Sequence, residues 1–438
     1  MRAATATDQA IGKSAMNKAF WRILPLILAA YLFAYMDRVN VSFAAASMNE
    51  DLVFSATVYG LGGGLFFLGY ALFEIPSNLM LVRFGARKWI ARIMITWGLL
   101  SAAMMFVQTP LQFYVLRFLL GVAEAGFYPG VIFYFAGWFP PCHRGRAVSR
   151  FFVASPLASV AMGAMSGWLL ALDGNAGLHG WQWLFLVQGL PTVLFGLVVL
   201  RYLPDAPATA AWLTQPEKDW IHTQLSREQA RIGEPAGHNV LAAFRNPRVL
   251  ILGAIGFLLI GVITTVILNA PLILQGATTL NAKWIGYVVA LGGLSGAAAV
   301  LVLGNHADRH GDRWGNAFWC GVVLAGVLLV MALSSSPLLT VLAYLGFATI
   351  CFTLPMLTSS GWSEVLHVRE LAIGAAAINT ISQIGAFVAP YGWGAAKDAT
   401  GSFQPVMIGF SLIAVVMSAL ILLLRHQVRE RAGRMALV

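Results

Sequence analysis

The chain has 438 residues, of which 59% are hydrophobic and only 11% are charged, and its mean hydropathy is +0.75. Globular domains carry about 25% charged residues, so this composition excludes a soluble globular protein and indicates a polytopic helical membrane protein. A β-barrel is excluded as well, because its strands alternate over segments of about 10 residues. The three cysteines show no spacing that is typical of a disulfide framework or a metal site.

A polar stretch, residues 1–21, opens the chain, and we predict that it is a tail outside the membrane. Twelve apolar runs follow, and each is long enough to cross a bilayer, for which about 20 helical residues suffice. They cover residues 22–46, 57–82, 89–108, 111–137, 147–172, 182–203, 248–274, 284–305, 315–335, 338–360, 370–395 and 403–424. We therefore predict two six-helix bundles, at 22–203 and 248–424, joined by a linker at 204–247 and followed by a tail at 425–438.

The basic residues support this order of spans. All but four of the 28 lysines and arginines fall in segments on one side of the predicted membrane. Lys283 and Lys397 lie on the other side, and Arg38 and Arg117 lie inside spans. This is the positive-inside pattern, so we expect an inner-membrane protein with both termini in the cytoplasm. The pattern also accounts for the net charge of +10 without a nucleic-acid partner.

A short motif recurs at the same place in each half of the chain. Residues 83–87 (RFGAR) follow the second run, and residues 309–313 (RHGDR) follow the eighth. Matched positions indicate an internal repeat, which is common in transporters. The predicted fold is therefore an all-α polytopic membrane protein with twelve transmembrane helices in two pseudo-symmetric six-helix halves.

Residues 304–313 (GNHADRHGDR) resemble the loop signature of the major facilitator superfamily, and the resemblance extends over essentially the whole chain. The first copy departs from the signature, with Asn78 in place of its glycine and Val82 in place of its aspartate. The resemblance implies that the loop residues help to latch a gate. The residues assigned to gating here are Glu74, Arg83, Arg87, Asp308, Arg309 and Arg313.

Three further segments resemble the anion:cation symporter family within that superfamily. They are residues 35–44 (YMDRVNVSFA), 73–78 (FEIPSN) and 117–126 (RFLLGVAEAG). The resemblance implies proton-coupled uptake of an organic anion. The DRVN form is most similar to the branch that carries tartrate, phthalate, hydroxyphenylacetate and nicotinate.

Four charged residues lie deep inside predicted spans: Asp37, Arg38, Arg117 and Glu124. Each costs about 2.5–3.5 kcal/mol near a helix centre on insertion scales, so such groups usually face the protein interior and have a function. Arg117 and Glu124 are seven residues apart, about 10 Å along one helix face, so they cannot pair easily with each other. We predict that Asp37 pairs with Arg117 and that Arg38 pairs with Glu124.

These four residues have a functional and a structural interpretation. As a functional site, Arg38 binds the substrate carboxylate, Asp37 and Glu124 take up protons, and Arg117 holds and releases an acid. Guanidinium offers two parallel donors that match a carboxylate. As a structural device, the same residues are fixed ion pairs that hold helices 1 and 4 together, although buried pairs are weak stabilisers. Glu74 lies nearer a helix end, where a gate or capping contact is expected.

Six uncharged residues are further candidates for substrate binding: Tyr35, Tyr70, Asn269, Ser359, Asn379 and Gln383. The alternative for each is packing or an interhelical hydrogen bond, worth about 0.6 kcal/mol on average. Asn379 is favoured because the family resemblance implies a helix 11 amide near the substrate. Asn379 and Gln383 are four residues apart and share a helix face.

The sequence thus predicts a proton-coupled importer of a small organic anion that works by alternating access. A uniporter or exchanger with the same site is the alternative. An intramembrane enzyme is not expected, since no metal-binding or nucleophile motif lies within a span. The expected partners are the anion, protons and the lipid bilayer, with no cofactor other than the coupling proton, no metal and a monomeric state.

Overall fold

The computed structural model describes residues 6–232, 244–310, 312–366 and 370–436. Within these ranges every regular element is helical. The helices are α1 Ala6–Asp51, α2 Ala56–Phe84, α3 Ala86–Ala103, α4 Pro110–Glu124, α5 Phe127–Ala136, α6 Pro141–Phe152, α7 Ala154–Leu170, α8 Gly180–Tyr202, α9 Gln215–Ile232, α10 Pro247–Ala277, α11 Ala282–His310, α12 Arg313–Leu333, α13 Pro337–Ser360, α14 Trp362–Val365, α15 Leu371–Thr400 and α16 Gln404–Ala436. Three short 3-10 helices lie between them, at Met104–Phe106, Asn175–Gly177 and Pro207–Thr209.

The described residues contain 12 helical segments that are long and apolar enough to cross a membrane, as the hydropathy pattern predicted. Three of them contain two α-helices each: α4 and α5 share the fourth span, α6 and α7 share the fifth, and α13 and α14 share the tenth. We call the face at which residues 6–21 lie the tail side, and the opposite face the far side.

Residues 6–21 of the predicted tail are helical and packed. Helix α1 already begins at Ala6, and Ala15, Met16 and Ala19 on its first turns are buried. Hydropathy alone indicated a polar stretch here, because this segment is amphipathic and has small residues on one face. Its apolar face packs against α9, so the predicted linker at 204–247 also contains a helix. Residues 233–243 of that linker lie outside the described ranges.

The carboxylate of Glu217 joins α9 to α1 through hydrogen bonds. Glu217 accepts hydrogen bonds from the Ser14 hydroxyl at 2.7 Å, from Lys18 Nζ at 2.9 Å and from the Thr214 amide at 2.8 Å. Burial opposes the ionised form, but these hydrogen bonds outweigh it and lower the pKa of Glu217 to about 2. Together with an ion pair between Arg144 and Glu228 at 2.8 Å, they bind the linker helix to the first half of the chain.

Each half packs mainly within itself. In the first half α1 contacts α7 and α8, α3 contacts α8 and α4, and α2 contacts α4. In the second half α10 contacts α15, α11 contacts α13, and α12 contacts α13 and α16. The halves meet along three helix pairs, α2 with α15, α7 with α11, and α1 with α10. This arrangement leaves a central space between the halves.

Backbone contact between the halves is closest toward the far side. A Cβ atom on Gly60 would lie 2.2 Å from the Pro390 carbonyl oxygen, and one on Gly163 would lie 2.4 Å from the Gly286 carbonyl oxygen. The Tyr59 hydroxyl also donates to the Leu268 carbonyl at 2.7 Å. Because only glycine permits such approach, these positions hold the far-side end closed.

A carboxylate completes the far-side contact. Asp398, near the end of α15, accepts hydrogen bonds from the backbone amides of Ala56 and Thr57 at 3.0 and 2.8 Å. These amides form the first turn of α2, where unpaired N–H groups and the helix dipole favour an anion. The two halves are therefore joined at this end by hydrogen bonds and glycine contacts.

Candidate functional site

A cavity of about 690 Å³ lies between the halves and extends from the middle of the bundle toward the tail side. Its wall is formed by residues of α1, α2, α5, α10, α13 and α15, among others. Seven of the predicted site residues line it: Tyr35, Arg38, Tyr70, Glu74, Ser359, Asn379 and Gln383. Arg38 is the one cation among the described residues of this wall.

Arg38 forms the predicted ion pair with Glu124, which is thereby confirmed. Arg38 Nη2 lies 2.6 Å and Nε lies 2.7 Å from Glu124 Oε1. The Glu124 side chain is fully buried, whereas the Arg38 side chain is 21% exposed toward the cavity. The Nε–Nη2 edge is thus engaged with Glu124, and the Nη1–Nη2 edge remains for a ligand. That edge presents two donors in the geometry that binds a carboxylate.

The predicted pair between Asp37 and Arg117 is not formed, and this prediction was wrong. Asp37 Oδ1 instead accepts hydrogen bonds from the Ser101 hydroxyl of α3 and from Asn40 Nδ2, the latter at 3.1 Å. Asp37 Oδ2 and Arg117 Nη1 are both buried without a hydrogen-bond partner. One oxygen of this carboxylate therefore binds two neutral donors, Ser101 on α3 and Asn40 on its own helix, instead of a guanidinium.

Arg117 is held by a carbonyl and an aromatic ring. Its Nε lies 3.4 Å from the Gly62 carbonyl oxygen, and its Cζ lies 5.0 Å from the centre of the Phe66 ring. The Cζ of Arg38 lies 5.8 Å from the same ring and 5.1 Å from that of Tyr70. Phe66 is fully buried between the two cations. Cation–π contacts of this kind are worth about 2 kcal/mol when desolvated.

The sequence analysis missed Ser101, Asn40 and Phe66 as members of this cluster. Asn40 carried a usable signal, because it lies three residues from Asp37 on the same helix face. Ser101 and Phe66 carried none, since a lone serine or phenylalanine in an apolar run is ordinary packing. Their roles depend on how α2 and α3 pack beside α1.

Glu74 and Asn379 join the two halves across the cavity. Asn379 Nδ2 lies 3.0 and 2.8 Å from the two carboxylate oxygens of Glu74. Glu74 therefore contacts the other half, and its partner is the amide that was predicted to bind substrate. In this state the amide donates to Glu74 and not to a ligand.

The remaining uncharged candidates differ in position. Tyr35 lies 6.0 Å from Phe352, measured between ring centres, and so brings an aromatic ring of each half together. Ser359 donates to its own helix, at the Met356 carbonyl. Asn269 is 2% exposed, donates to the Thr265 carbonyl at 2.9 Å and does not line the cavity. The prediction that Asn269 binds substrate is wrong for this state, because its amide caps a carbonyl of its own helix.

The loops that carry the repeated motif are stabilised by acids within their own halves. Arg87 lies 3.4 Å from Asp205, which also accepts from the Arg87 backbone amide at 2.9 Å. Asp205 thus supplies the acid that the first loop lacks at Val82. In the second loop, Arg313 lies 3.3 Å from Glu364.

The three other predicted gating residues are Arg83, Asp308 and Arg309. The Cζ of Arg83 lies 5.6 Å from the ring centre of its neighbour Phe84. Arg309 is exposed, and the side chain of Asp308 lies outside the described part of the chain. The loop acid that the structure does describe is Asp312, which accepts from Arg425 Nη2 at 2.5 Å.

A bundle of twelve membrane-spanning helices in two halves around a central cavity is the architecture of a secondary transporter. Residues 27–390 match the sequence model described as Major Facilitator Superfamily, and the chain belongs to this superfamily. It is therefore a multi-pass membrane transporter and not an enzyme. Its sequence relatives agree with the resemblance to the anion:cation symporter family.

One relative, named "Putative tartrate transporter" from Agrobacterium vitis, is 41% identical over 96% of this chain and 97% of its own. Another, named "Quinolone resistance transporter" from Acinetobacter baumannii, is 36% identical over 92% of each chain. A solved structure of a bacterial homologue of the human lysosomal transporter Spinster, in an inward-facing and unoccupied conformation, superposes with a TM-score of 0.73. That match covers 93% of this chain and 97% of the other at 14% identity, and it concerns the fold alone.

Proposed function

We propose that this protein imports a small organic anion together with one or more protons. The observation that carries the proposal is the Arg38–Glu124 pair, which places a half-engaged guanidinium on the cavity wall in front of a fully buried carboxylate. A carboxylate ligand fits the free Nη1–Nη2 edge of Arg38. The relative named for tartrate transport supports an organic anion as the substrate.

Proton coupling follows from competition for Arg38. A bound anion draws the guanidinium toward the cavity and weakens its pairing with Glu124. A buried carboxylate without its partner is costly, because desolvation is no longer offset by the attraction. Glu124 therefore takes up a proton when the anion binds and releases it when the anion leaves. Substrate binding and protonation are linked through one side chain.

Asp37 and Arg117 form the second part of the proposed coupling site. Each keeps one buried polar atom without a hydrogen-bond partner, and the two side chains interact electrostatically without contact. Asp37 is held on one oxygen only, so its other oxygen is available to a proton. Arg117 compensates the charge whenever Asp37 is ionised, which is its proposed part in holding and releasing an acid.

The orientation of the protein in the membrane and the gate at its tail-side end are the last parts of the proposed function. The excess of basic residues on the tail side supports cytoplasmic termini and a location in the inner membrane. The cavity then faces the cytoplasm in this state. The Glu74–Asn379 bond, together with the loop residues Arg87 and Arg313, regulates the tail-side end as the halves rock. The transporter acts as a monomer, and the proton is its only cofactor.

Reconstituted vesicles test the coupling. The full chain is placed in liposomes with an imposed pH gradient, and uptake of labelled benzoate and tartrate is measured. We expect Arg38→Ala to lose binding and uptake, because the carboxylate has lost its partner. Glu124→Gln should still bind and exchange the anion but lose accumulation driven by the gradient. Normal accumulation by Glu124→Gln would remove Glu124 from the coupling step and leave a uniporter or exchanger.

A further inference from the structure

The cavity wall opposite Arg38 is apolar. Helix α10 presents Ile255, Leu259, Ile260 and Ile263 to the cavity, and α13 presents Phe352. No lysine or arginine of the second half lines the cavity among the residues that the structure describes. A second negative charge on a ligand would therefore face hydrocarbon side chains once the halves close and water leaves.

Most polar side chains on that wall have no donor to spare. The hydroxyls of Thr358, Thr380 and Ser382 donate to carbonyls of their own helices at 3.0, 3.0 and 2.8 Å. The amide of Asn379 donates to Glu74. Among the described residues of the second half, the side chains of Gln383 and Thr264 and the indole N–H groups of Trp314 and Trp362 line the cavity without a hydrogen bond. Gln383 offers both a donor and an acceptor.

Gln383 on α15 and Arg38 on α1 line the same cavity from different halves. Helices α2 and α15 run antiparallel, with Gly64 beside Phe387 and Glu74 bonded to Asn379. One turn beyond Asn379, this register brings Gln383 opposite Tyr70, which is one turn from Glu74. The Tyr70 ring is 5.1 Å from the guanidinium carbon of Arg38. A ligand held between the two halves therefore has the Arg38 cation on one wall and the Gln383 amide on the other.

Aromatic rings occupy the space between these two groups. Tyr31, Tyr35, Tyr70 and Phe67 line the cavity from the first half, and Phe352 faces them from the second. The centres of the Tyr35 and Phe352 rings are 6.0 Å apart. Such surfaces favour a flat ring through stacked or edge contacts.

We infer that the substrate is a ring-bearing monocarboxylate. Its carboxylate binds the Nη1–Nη2 edge of Arg38, its ring lies between the tyrosines and the wall of α10 and Phe352, and a polar ring substituent reaches Gln383. A hydroxy dicarboxylate such as tartrate fits this chain poorly. The inference rests on the proposed function, since it assumes that Arg38 binds the anion.

Binding of three acids to the purified full-length chain in lipid nanodiscs tests the inference. The probes are benzoate, 4-hydroxybenzoate and L-tartrate, measured by calorimetry. We expect benzoate to bind at least tenfold more tightly than tartrate, a difference of about 1.4 kcal/mol. Arg38→Ala should abolish binding of both aromatic acids. Gln383→Leu should remove only the preference for 4-hydroxybenzoate over benzoate, and Gln404→Leu, far from the cavity, should leave it intact.

A second variant tests directly whether tartrate binds weakly because the second half supplies no cation. Gln383→Arg places a guanidinium opposite Arg38 and should raise tartrate affinity at least tenfold. Tartrate binding as tight as benzoate in the natural chain, with loss in Arg38→Ala, would overturn the inference and leave the proposed function standing. Binding that does not depend on Arg38, or no binding of any of the three acids, would overturn both. An unchanged ring preference in Gln383→Leu would remove Gln383 from the site.

Discussion

The two halves of the molecule contribute different chemistry to one cavity. The first half holds all four of the described charges that lie deep in the spans, and the second half faces them with aliphatic and aromatic side chains. Arg38 and Glu124, which form the ion pair, belong to the same half. The pair therefore stays together when the halves move relative to each other.

Contacts between the halves are weaker than the ion pair within the first half. They are hydrogen bonds, such as Asp398 to the first amides of α2 and Asn379 to Glu74, and close backbone contacts at glycines. A hydrogen bond contributes about 0.5–1.5 kcal/mol, or up to about 3 kcal/mol to a charged group, whereas breaking a buried ion pair costs about 3–5 kcal/mol. Rocking of the halves thus separates only the weak contacts, whereas the Arg38–Glu124 pair within the first half is weakened by anion binding. Four predictions test this division.

The largest effect is expected from breaking the ion pair within the first half. Arg38→Met leaves Glu124 buried without a partner and should lower the free energy of unfolding by about 3 kcal/mol. Chemical unfolding in detergent at neutral pH measures it. The double variant Arg38→Met with Glu124→Leu removes both charges and should recover most of the loss. If the double variant were as unstable as the single one, the pair would not be the source of the effect.

The next effect concerns the far-side contact between the halves. Gly60→Ala forces a methyl group to within 2.2 Å of the Pro390 carbonyl and should disfavour the far-side-closed state by about 1–3 kcal/mol. We expect at least a tenfold increase in labelling of a single cysteine placed in the far-side half of the central cleft. Gly409→Ala, which has nothing within 4 Å of the added carbon, is the control. Equal labelling in both variants would contradict the proposed closure.

A smaller shift should follow from Asp398. Asp398→Ala removes two hydrogen bonds to the first turn of α2 and should cost about 1 kcal/mol of the far-side contact, as loss of a helix cap does. The same labelling assay should show a severalfold increase. Asp173→Ala, at another far-side turn, serves as the matched control. No change in Asp398→Ala would mean that the glycine contacts alone hold this end.

The smallest effect concerns the attachment of the linker helix to the first half. The pKa of Glu217 is lowered from 4.5 to about 2, so its stabilisation is present above pH 4.5 and is lost as the pH falls toward 2. We expect about 1 kcal/mol, because Lys18 is 38% exposed and its charge is screened.

Unfolding measured from pH 6 to pH 3 checks this prediction. The difference in stability between the natural chain and Glu217→Gln should narrow as the pH falls. A difference that stayed constant over this range would show that ionised Glu217 does not fasten α9 to α1.

Sequence reasoning succeeded where a side chain had few alternatives. Hydropathy located the twelve spans because about 20 consecutive apolar residues have no other stable environment. Arg38 and Glu124 were paired correctly because each needs an opposite charge inside the protein. The reasoning failed for Asp37, which neutral donors satisfied, and for Asn269, which found a carbonyl on its own helix. When a polar group has several possible partners, the packing of the helices decides which partner it binds.

The amino-acid sequence by itself determined that this chain crosses a membrane twelve times, in which order, and that buried charges of its first half must meet. Burial of charge and exposure of backbone in lipid are so costly that composition alone decides these points. Only the tertiary structure decided that α1 begins at Ala6 and is clamped by α9, and that Glu74 meets Asn379 across the cavity. It also decided which edge of Arg38 is free. Those outcomes depend on hydrogen bonds and contacts of a few kcal/mol or less, which the relative placement of helices selects.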